Sequence, residues 1–174
     1  MAARGGKSRA GRTWILPDRE ATARWGEALG RLLRAGDVIG LVGDLGAGKT
    51  TLAQAIALGM SIRAPVTSPT FTLIQEYPGP IPLIHLDPYR LERPEDLYDI
   101  GLDEYFERGG VVIVEWADKV AALLPPDRLT LRLEIVAADG KETDDDAPRR
   151  LTAFAGGSRS KQLLEEALRE NQTG

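Results

Sequence analysis

"GDLGAGKTTLAQAI" (Gly43–Ile56) opens with eight residues that fit G-x-x-x-x-G-K-T. The run before it, "DVIGLVG" (Asp37–Gly43), is short, apolar and bounded by turn residues, as in a buried parallel strand. The run after it reads as a helix from Lys49 to about Leu58, stopped by Gly59. Strand, Gly-rich loop and helix in that order are the setting a phosphate-binding loop requires. Gly43, Gly46 and Gly48 let the backbone turn tightly and aim its N–H groups inward. Those donors and the helix N-terminus form an anion site. The expected contacts are Asp44, Leu45, Gly46, Ala47, Gly48, Lys49, Thr50 and Thr51. Lys49 supplies a point charge for β- and γ-phosphates, Thr50 a hydroxyl for Mg²⁺, and Thr51 a donor for a more distal phosphate.

Working outward, "RTWIL" (Arg12–Leu16) is a short strand candidate, and Pro17–Asp18 opens a helix carrying Trp25, Leu29, Leu32 and Leu33 at helical spacing. "TSPTFTLIQEYPG" (Thr67–Gly79) begins as a polar loop and is expected to become a strand from Phe71 to Tyr77. "IPLIHLD" (Ile81–Asp87) reads as its hairpin partner. Short helices broken by Pro94 and Gly101 follow, then "VVIVEW" (Val111–Trp116), the most β-branched run and the expected central strand. "ADKVAALLPP" is a short helix. "RLTLRLEIVA" (Arg128–Ala137) alternates as a half-buried antiparallel strand, and "RRLTAFAG" is its return after an acidic loop, Asp139–Ala147. Ser158–Glu170 is an amphipathic C-terminal helix. The pattern predicts an α/β, three-layer fold of the phosphate-loop NTPase type, with a mixed, mainly parallel central sheet and antiparallel hairpins. Residues 12–174 are read as one domain behind a basic, disordered tail, 1–11.

Composition narrows the classes. The chain has 174 residues and no cysteine, which removes disulfides, thiol catalysis and Cys-ligated metal and fits a cytoplasmic protein. No apolar run approaches the ~20 residues of a membrane span. A net charge of −4 argues against a broad nucleic-acid surface, so RNA contact is expected only locally or through a partner.

Hydrolysis needs a carboxylate beside the loop to hold a metal or position water. Glu115 ends the central strand, where ligands gather in open α/β sheets, although it also reads as a helix cap or a surface charge. Asp87, in "HLDPYR" (His85–Arg90), is a second strand-end carboxylate that suits Mg²⁺ or a base, or turn chemistry before Pro88. Trp116 is either core or a stacking platform beside the site. His85, the only histidine, cannot build a multi-His metal site and reads as structural. "TSPTF" (Thr67–Phe71) is either a switch segment or an ordinary polar loop.

"GDLGAGKTT", "TSPTFTLIQEY", "HLDPYRL", "GLDEYF" and "VIVEWADK" occur in this order and spacing, and together they resemble the bacterial TsaE (YjeE) family. The resemblance spans about Arg12 to Pro126. It implies an ATPase that binds ATP and Mg²⁺, hydrolyses ATP weakly alone, and acts with TsaD and TsaB in making threonylcarbamoyladenosine in tRNA, which it meets only through that complex. Hydrolysis is thought to reset the complex between turnovers. The family's loop lysine falls on Lys49, its Mg²⁺ hydroxyl on Thr50, its H-x-D aspartate on Asp87, its E-W pair on Glu115 and Trp116, and its switch-like segment on Ser68 to Phe71. Together these give Lys49, Asp87 and Glu115 as catalytic candidates and Thr50, Asp87 and Glu115 as metal candidates, with Trp116 beside the nucleotide.

Two other readings share the loop: a small-molecule kinase and a nucleotide-gated binding module. "RPEDLYDIGLDEYFERGG" is too acidic for a phosphate-gripping lid, which disfavours the kinase. No N-K-x-D motif reads guanine. Residues near Pro17–Thr22 and Trp116–Lys119 are candidates for the adenine pocket, and Arg90 is a cis candidate for an arginine finger unless a partner supplies one.

Overall fold

A computed structural model of the chain describes residues 11–69, 72–136 and 146–172. The tail through residue 10, Thr70 and Phe71 of the S-P-T-F segment, and the acidic stretch 137–145 lie outside the described residues. The first half runs β1 (Arg12–Leu16), α1 (Arg19–Leu32), β2 (Val38–Val42), α2 (Lys49–Gly59), β3 (Ile74–Tyr77) and β4 (Leu83–Leu86). The second half runs α3 (Asp96–Asp99), α4 (Leu102–Glu107), β5 (Val111–Glu115), a 3₁₀ helix (Ala117–Leu123), β6 (Leu129–Ile135), β7 (Arg149–Ala155) and α5 (Ser158–Glu170).

Local chemistry sets the helix starts. The Asp18 carboxylate accepts from the Ala21 N–H at 2.7 Å, so α1 begins one residue later, at Arg19. At α5 the cap comes from another segment. Asp127 Oδ1 accepts from Ser160 N (2.9 Å) and Ser160 Oγ (2.6 Å), and its Oδ2 accepts from Arg159 N (3.0 Å). The hydroxyl bond from Ser160 is the main reason the Asp127 carboxyl sits below its ordinary range.

The strands form one mixed sheet in the order β1-β7-β6-β2-β5-β4-β3. Its four central strands, β6, β2, β5 and β4, run parallel. β7 and β3 are antiparallel neighbours on either side, and β1 pairs antiparallel with β7 at one edge. Strand alternation sorts the core into two layers. Ile39, Leu41, Val111, Ile113, Leu131 and Leu133 face α1, α2 and α5. Val38, Ile84, Leu86, Val112 and Val114 face α3, α4 and the 3₁₀ helix. Such buried aliphatic side chains each contribute about 1.5–3 kcal/mol.

Two expectations are adjusted. β6 is antiparallel only toward β7; toward β2 it is parallel, with Leu131 opposite Leu41. Alternation specifies a half-buried face but not the direction of the neighbour. β3 begins at Ile74 rather than Phe71, because the N–H groups of Thr72 and Leu73 turn back to the Pro69 carbonyl and Leu73 is left-handed at φ +67°.

α1 and α2 meet through glycines. A Cβ on Gly30 would stand 2.1 Å from the Ile56 carbonyl oxygen, so the backbones approach too closely for any side chain there. Gly30→Ala gains ~1 kcal/mol in helix propensity but forces the helices apart, an overpacking cost of up to ~3 kcal/mol. We expect a net loss of about 1–2 kcal/mol, read as a lower denaturation midpoint at unchanged slope. An unchanged midpoint would contradict the packing described.

Candidate functional site

The C-terminal ends of β2, β4 and β5 lie side by side. Leu41 is paired with Glu115, and Leu86 with Val114, so Asp87 follows directly beside Glu115. The loop after β2 turns into α2 above that edge. Gly48 precedes Lys49 in the left-handed region at φ +104°, and α2 has no side-chain cap. Its first N–H groups are therefore available to an anion. Gly43 is needed for another reason: a Cβ there would meet the Leu133 carbonyl oxygen at 2.6 Å.

A cleft of about 280 Å³ opens over this loop. It gathers Leu45, Gly46, Ala47, Gly48, Lys49, Thr50 and Thr51 with Asp87, Glu115, Trp116 and Ser68. Of the expected loop contacts, only Asp44 is not among the lining residues; it contributes its carbonyl to Lys49. The cleft is also lined by Arg19, Thr22, Ala147 and Arg149. Arg19 and Thr22 fall in the segment expected near an adenine pocket.

The charged groups here are deeply buried. Glu115 is 2% exposed, Asp87 3%, Lys49 5%, and His85 is fully buried. Thr50 Oγ1 donates to Glu115 Oε1 at 3.0 Å, while His85 Nε2 lies 2.7 Å from Glu115 Oε2. Both carboxylate oxygens are thus held, one by the loop helix and one by the neighbouring strand. Glu115 is neither a helix cap nor a surface charge. Asp87 does double duty. Its Oδ1 accepts from Tyr89 N (3.0 Å), the turn bond expected before a proline, and its Oδ2 accepts from Ser68 Oγ (3.4 Å). Ser68 ties the described part of the S-P-T-F segment to this carboxylate.

His85, which the sequence reading took as structural, is the side chain that meets the second Glu115 oxygen. Its Nδ1 is buried with no hydrogen-bond partner among the described residues. A buried unsatisfied ring nitrogen costs about 1–3 kcal/mol, so packing alone does not account for histidine at this position. The signal was the spacing: His85 lies in β4 two residues before Asp87, which directly follows the strand.

Lys49 Nζ donates to the carbonyls of Gly43 (2.6 Å) and Asp44 (2.9 Å) and stands 3.8 Å from the Trp116 ring centroid. Burial pushes its ammonium below the ordinary lysine value, against the opposing attraction of Glu115, Asp87, Asp118 and Asp44. An anion in the loop would favour the charged form. Trp116 is left-handed at φ +54°, half-buried, and tilted against Tyr89 with centroids 4.8 Å apart. It is a wall of the cleft rather than core. Arg90 is exposed and does not line the cleft.

Among the described residues no three His, Cys, Asp or Glu side chains converge as a metal cage. The oxygen donors of Thr50, Asp87 and Glu115 instead suit a hard cation that draws its remaining ligands from water and phosphate, as Mg²⁺ does. Among the described residues no helix is long and apolar enough to cross a membrane.

Residues 16–143 match the family model described as "Threonylcarbamoyl adenosine biosynthesis protein TsaE". A curated relative from Bacillus subtilis, named tRNA threonylcarbamoyladenosine biosynthesis protein TsaE, is 41% identical over 91% of this chain and 94% of its own length. One of the same name from Treponema pallidum is 46% identical over 70% of this chain and 90% of its own. The crystal structure of Bacillus subtilis YdiB superposes with a TM-score of 0.79 at 35% identity, covering 95% of this chain and 99% of that one.

The Lys49–Trp116 contact generates an optical test. An anion that draws the ammonium off the ring is expected to change tryptophan emission. Inorganic tripolyphosphate should shift the emission of the wild-type chain and leave Trp116→Phe unchanged, since Trp14 and Trp25 pack against each other on the α1 side. An equal response in Trp116→Phe would place the anion elsewhere.

Proposed function

The chain belongs to the TsaE family of threonylcarbamoyl adenosine biosynthesis proteins, and from that premise we propose that it is a Mg²⁺-dependent ATP hydrolase. It acts with TsaB and TsaD in the threonylcarbamoyladenosine modification of tRNA. Its curated relatives carry names that place them in that biosynthesis. The observation that carries the hydrolase reading is the Glu115 carboxylate, held at both oxygens by Thr50 and His85 beside the phosphate loop.

In this reading the loop N–H groups and Lys49 bind the β- and γ-phosphates. Thr50 and Asp87 offer oxygens to the metal, directly or through water. Mg²⁺, when bound, neutralises charge that develops on the phosphates. Glu115 orients the attacking water, and Trp116 walls the cleft beside Lys49. The segment from Arg90 to Gly110 contributes nothing to the cleft lining. That supports transfer to water over transfer to a small acceptor, for which a kinase needs a second pocket. With Arg90 outside the cleft, an activating arginine is assigned to the partner. Such a group is worth on the order of 10³–10⁵ in rate, which fits slow turnover by the chain alone. The tRNA is reached only through the complex, and a cytoplasmic site of action fits.

Lys49→Ala is expected to weaken ATP binding and abolish hydrolysis, whereas Glu115→Ala should bind ATP and fail to cleave it. Wild-type turnover by Glu115→Ala would remove the assignment. His85→Leu frees Glu115 Oε2 and is expected to lower turnover roughly 10–100-fold, as loss of supporting residues does around metal sites. His85→Gln, which keeps a donor, should recover part of it. Equal activity in both variants and the wild type would make His85 structural.

A further inference from the structure

Arg149 opens β7, whose other inward residues are the apolar Leu151 and Ala153. Its neighbour Arg150 is exposed and lies 3.9 Å from Glu134. Alternation therefore turns Arg149 inward, onto the face of the phosphate loop, where it is 6% exposed. Its Nε donates to the Ala47 carbonyl at 2.9 Å and its Nη1 to the Ala147 carbonyl at 2.5 Å. Both partners are neutral.

The contrast with the other inward-reaching arginine is instructive. Arg159 is bonded through Nε and Nη2 to both carboxylate oxygens of Asp37, each at 2.9 Å. Among the described residues no carboxylate pairs with Arg149. A buried charge without a counter-charge is costly. Its five N–H donors exceed the two bonds it makes to described residues. Arg149 lines the cleft that the phosphate loop also lines. An anion in that cleft offsets the cost.

Position decides which part of an anion. β7 lies beyond β6 from the loop strand β2, whereas Glu115 and Asp87 lie on the opposite side, on and after β5 and β4. Adjacent strands are ~4.8 Å apart, so the Arg149 backbone on β7 lies three strands from Glu115 on β5, on the opposite side of the loop strand. It lines the cleft together with Arg19 and Thr22. We propose that Arg149 is a nucleotide-binding residue that shapes the phosphate loop through the Ala47 carbonyl and supplies the positive charge for the α-phosphate side of the nucleotide. This rests on reading the cleft as a nucleotide site and adds to it a contact from the far end of the chain. Arginine suits the task because its planar fork meets two phosphate oxygens at once while remaining charged.

The test is calorimetric titration of the full-length chain with ADP and with ATP at several salt concentrations, for wild type, Arg149→Gln and Arg149→Lys. Arg149→Gln is expected to weaken ADP and ATP by the same factor, roughly 10–100-fold, as for loss of a charged hydrogen bond. Its affinity should also depend less steeply on salt, and Arg149→Lys should recover part of both. ADP affinity within twofold of wild type in Arg149→Gln would overturn the inference while leaving the nucleotide reading intact. So would a loss with unchanged salt dependence and no recovery by lysine, which is the signature of a loop clamp alone. A wild-type chain that binds neither nucleotide would overturn both.

Discussion

The Glu115 carboxylate is the point on which the cleft depends. It sits at the end of the most buried strand, beneath the first turn of α2, and is 2% exposed. A carboxylate there survives only if its oxygens are bonded. One bond comes from Thr50 and the other from His85. The register of β4 against β5 and the crossing of α2 over the sheet edge are thereby fixed to the same group. A preset acceptor of this kind needs little reorganisation when a reaction begins, which is how electrostatic catalysis lowers a barrier.

Charge balance runs along the cleft. Lys49 is flanked by Glu115 and Asp87, and among the described residues Arg149 has no carboxylate partner. The ammonium shelters under Trp116 and among loop carbonyls, while the guanidinium donates to the loop carbonyl of Ala47. Both cations are buried and both border the loop. A polyphosphate chain laid between them neutralises each in turn. In the proposed function the acidic pair holds the divalent cation, which accounts for two carboxylates beside two buried cations.

Much of this was legible in the sequence because the signals were local. The G-x-x-x-x-G-K-T spacing, the β-branched run before Glu115 and the strand before Asp87 each announce themselves within ten residues. α5 was read to its boundaries, Ser158–Glu170, because amphipathic periodicity is a local property. The rest depends on pairings between distant segments. Nothing in "RLTLRLEIVA" says that its neighbour is β2, and the parallel pairing to β2 places β7, with Arg149, beside the loop. The contact of His85 with Glu115 was not read from the sequence, because a single histidine was weighed as a metal ligand rather than as a partner of a carboxylate. Arg149 lies 102 residues from Ala47, beyond the reach of any motif.

The central claim is that this edge of the sheet hydrolyses ATP under the control of its partners. Phosphate release from ATP with Mg²⁺, measured for the chain alone and with TsaB and TsaD added, addresses it most directly. Slow release alone and faster release with the pair is the predicted result. No release under either condition, or phosphate delivered to a small acceptor in place of water, would contradict it.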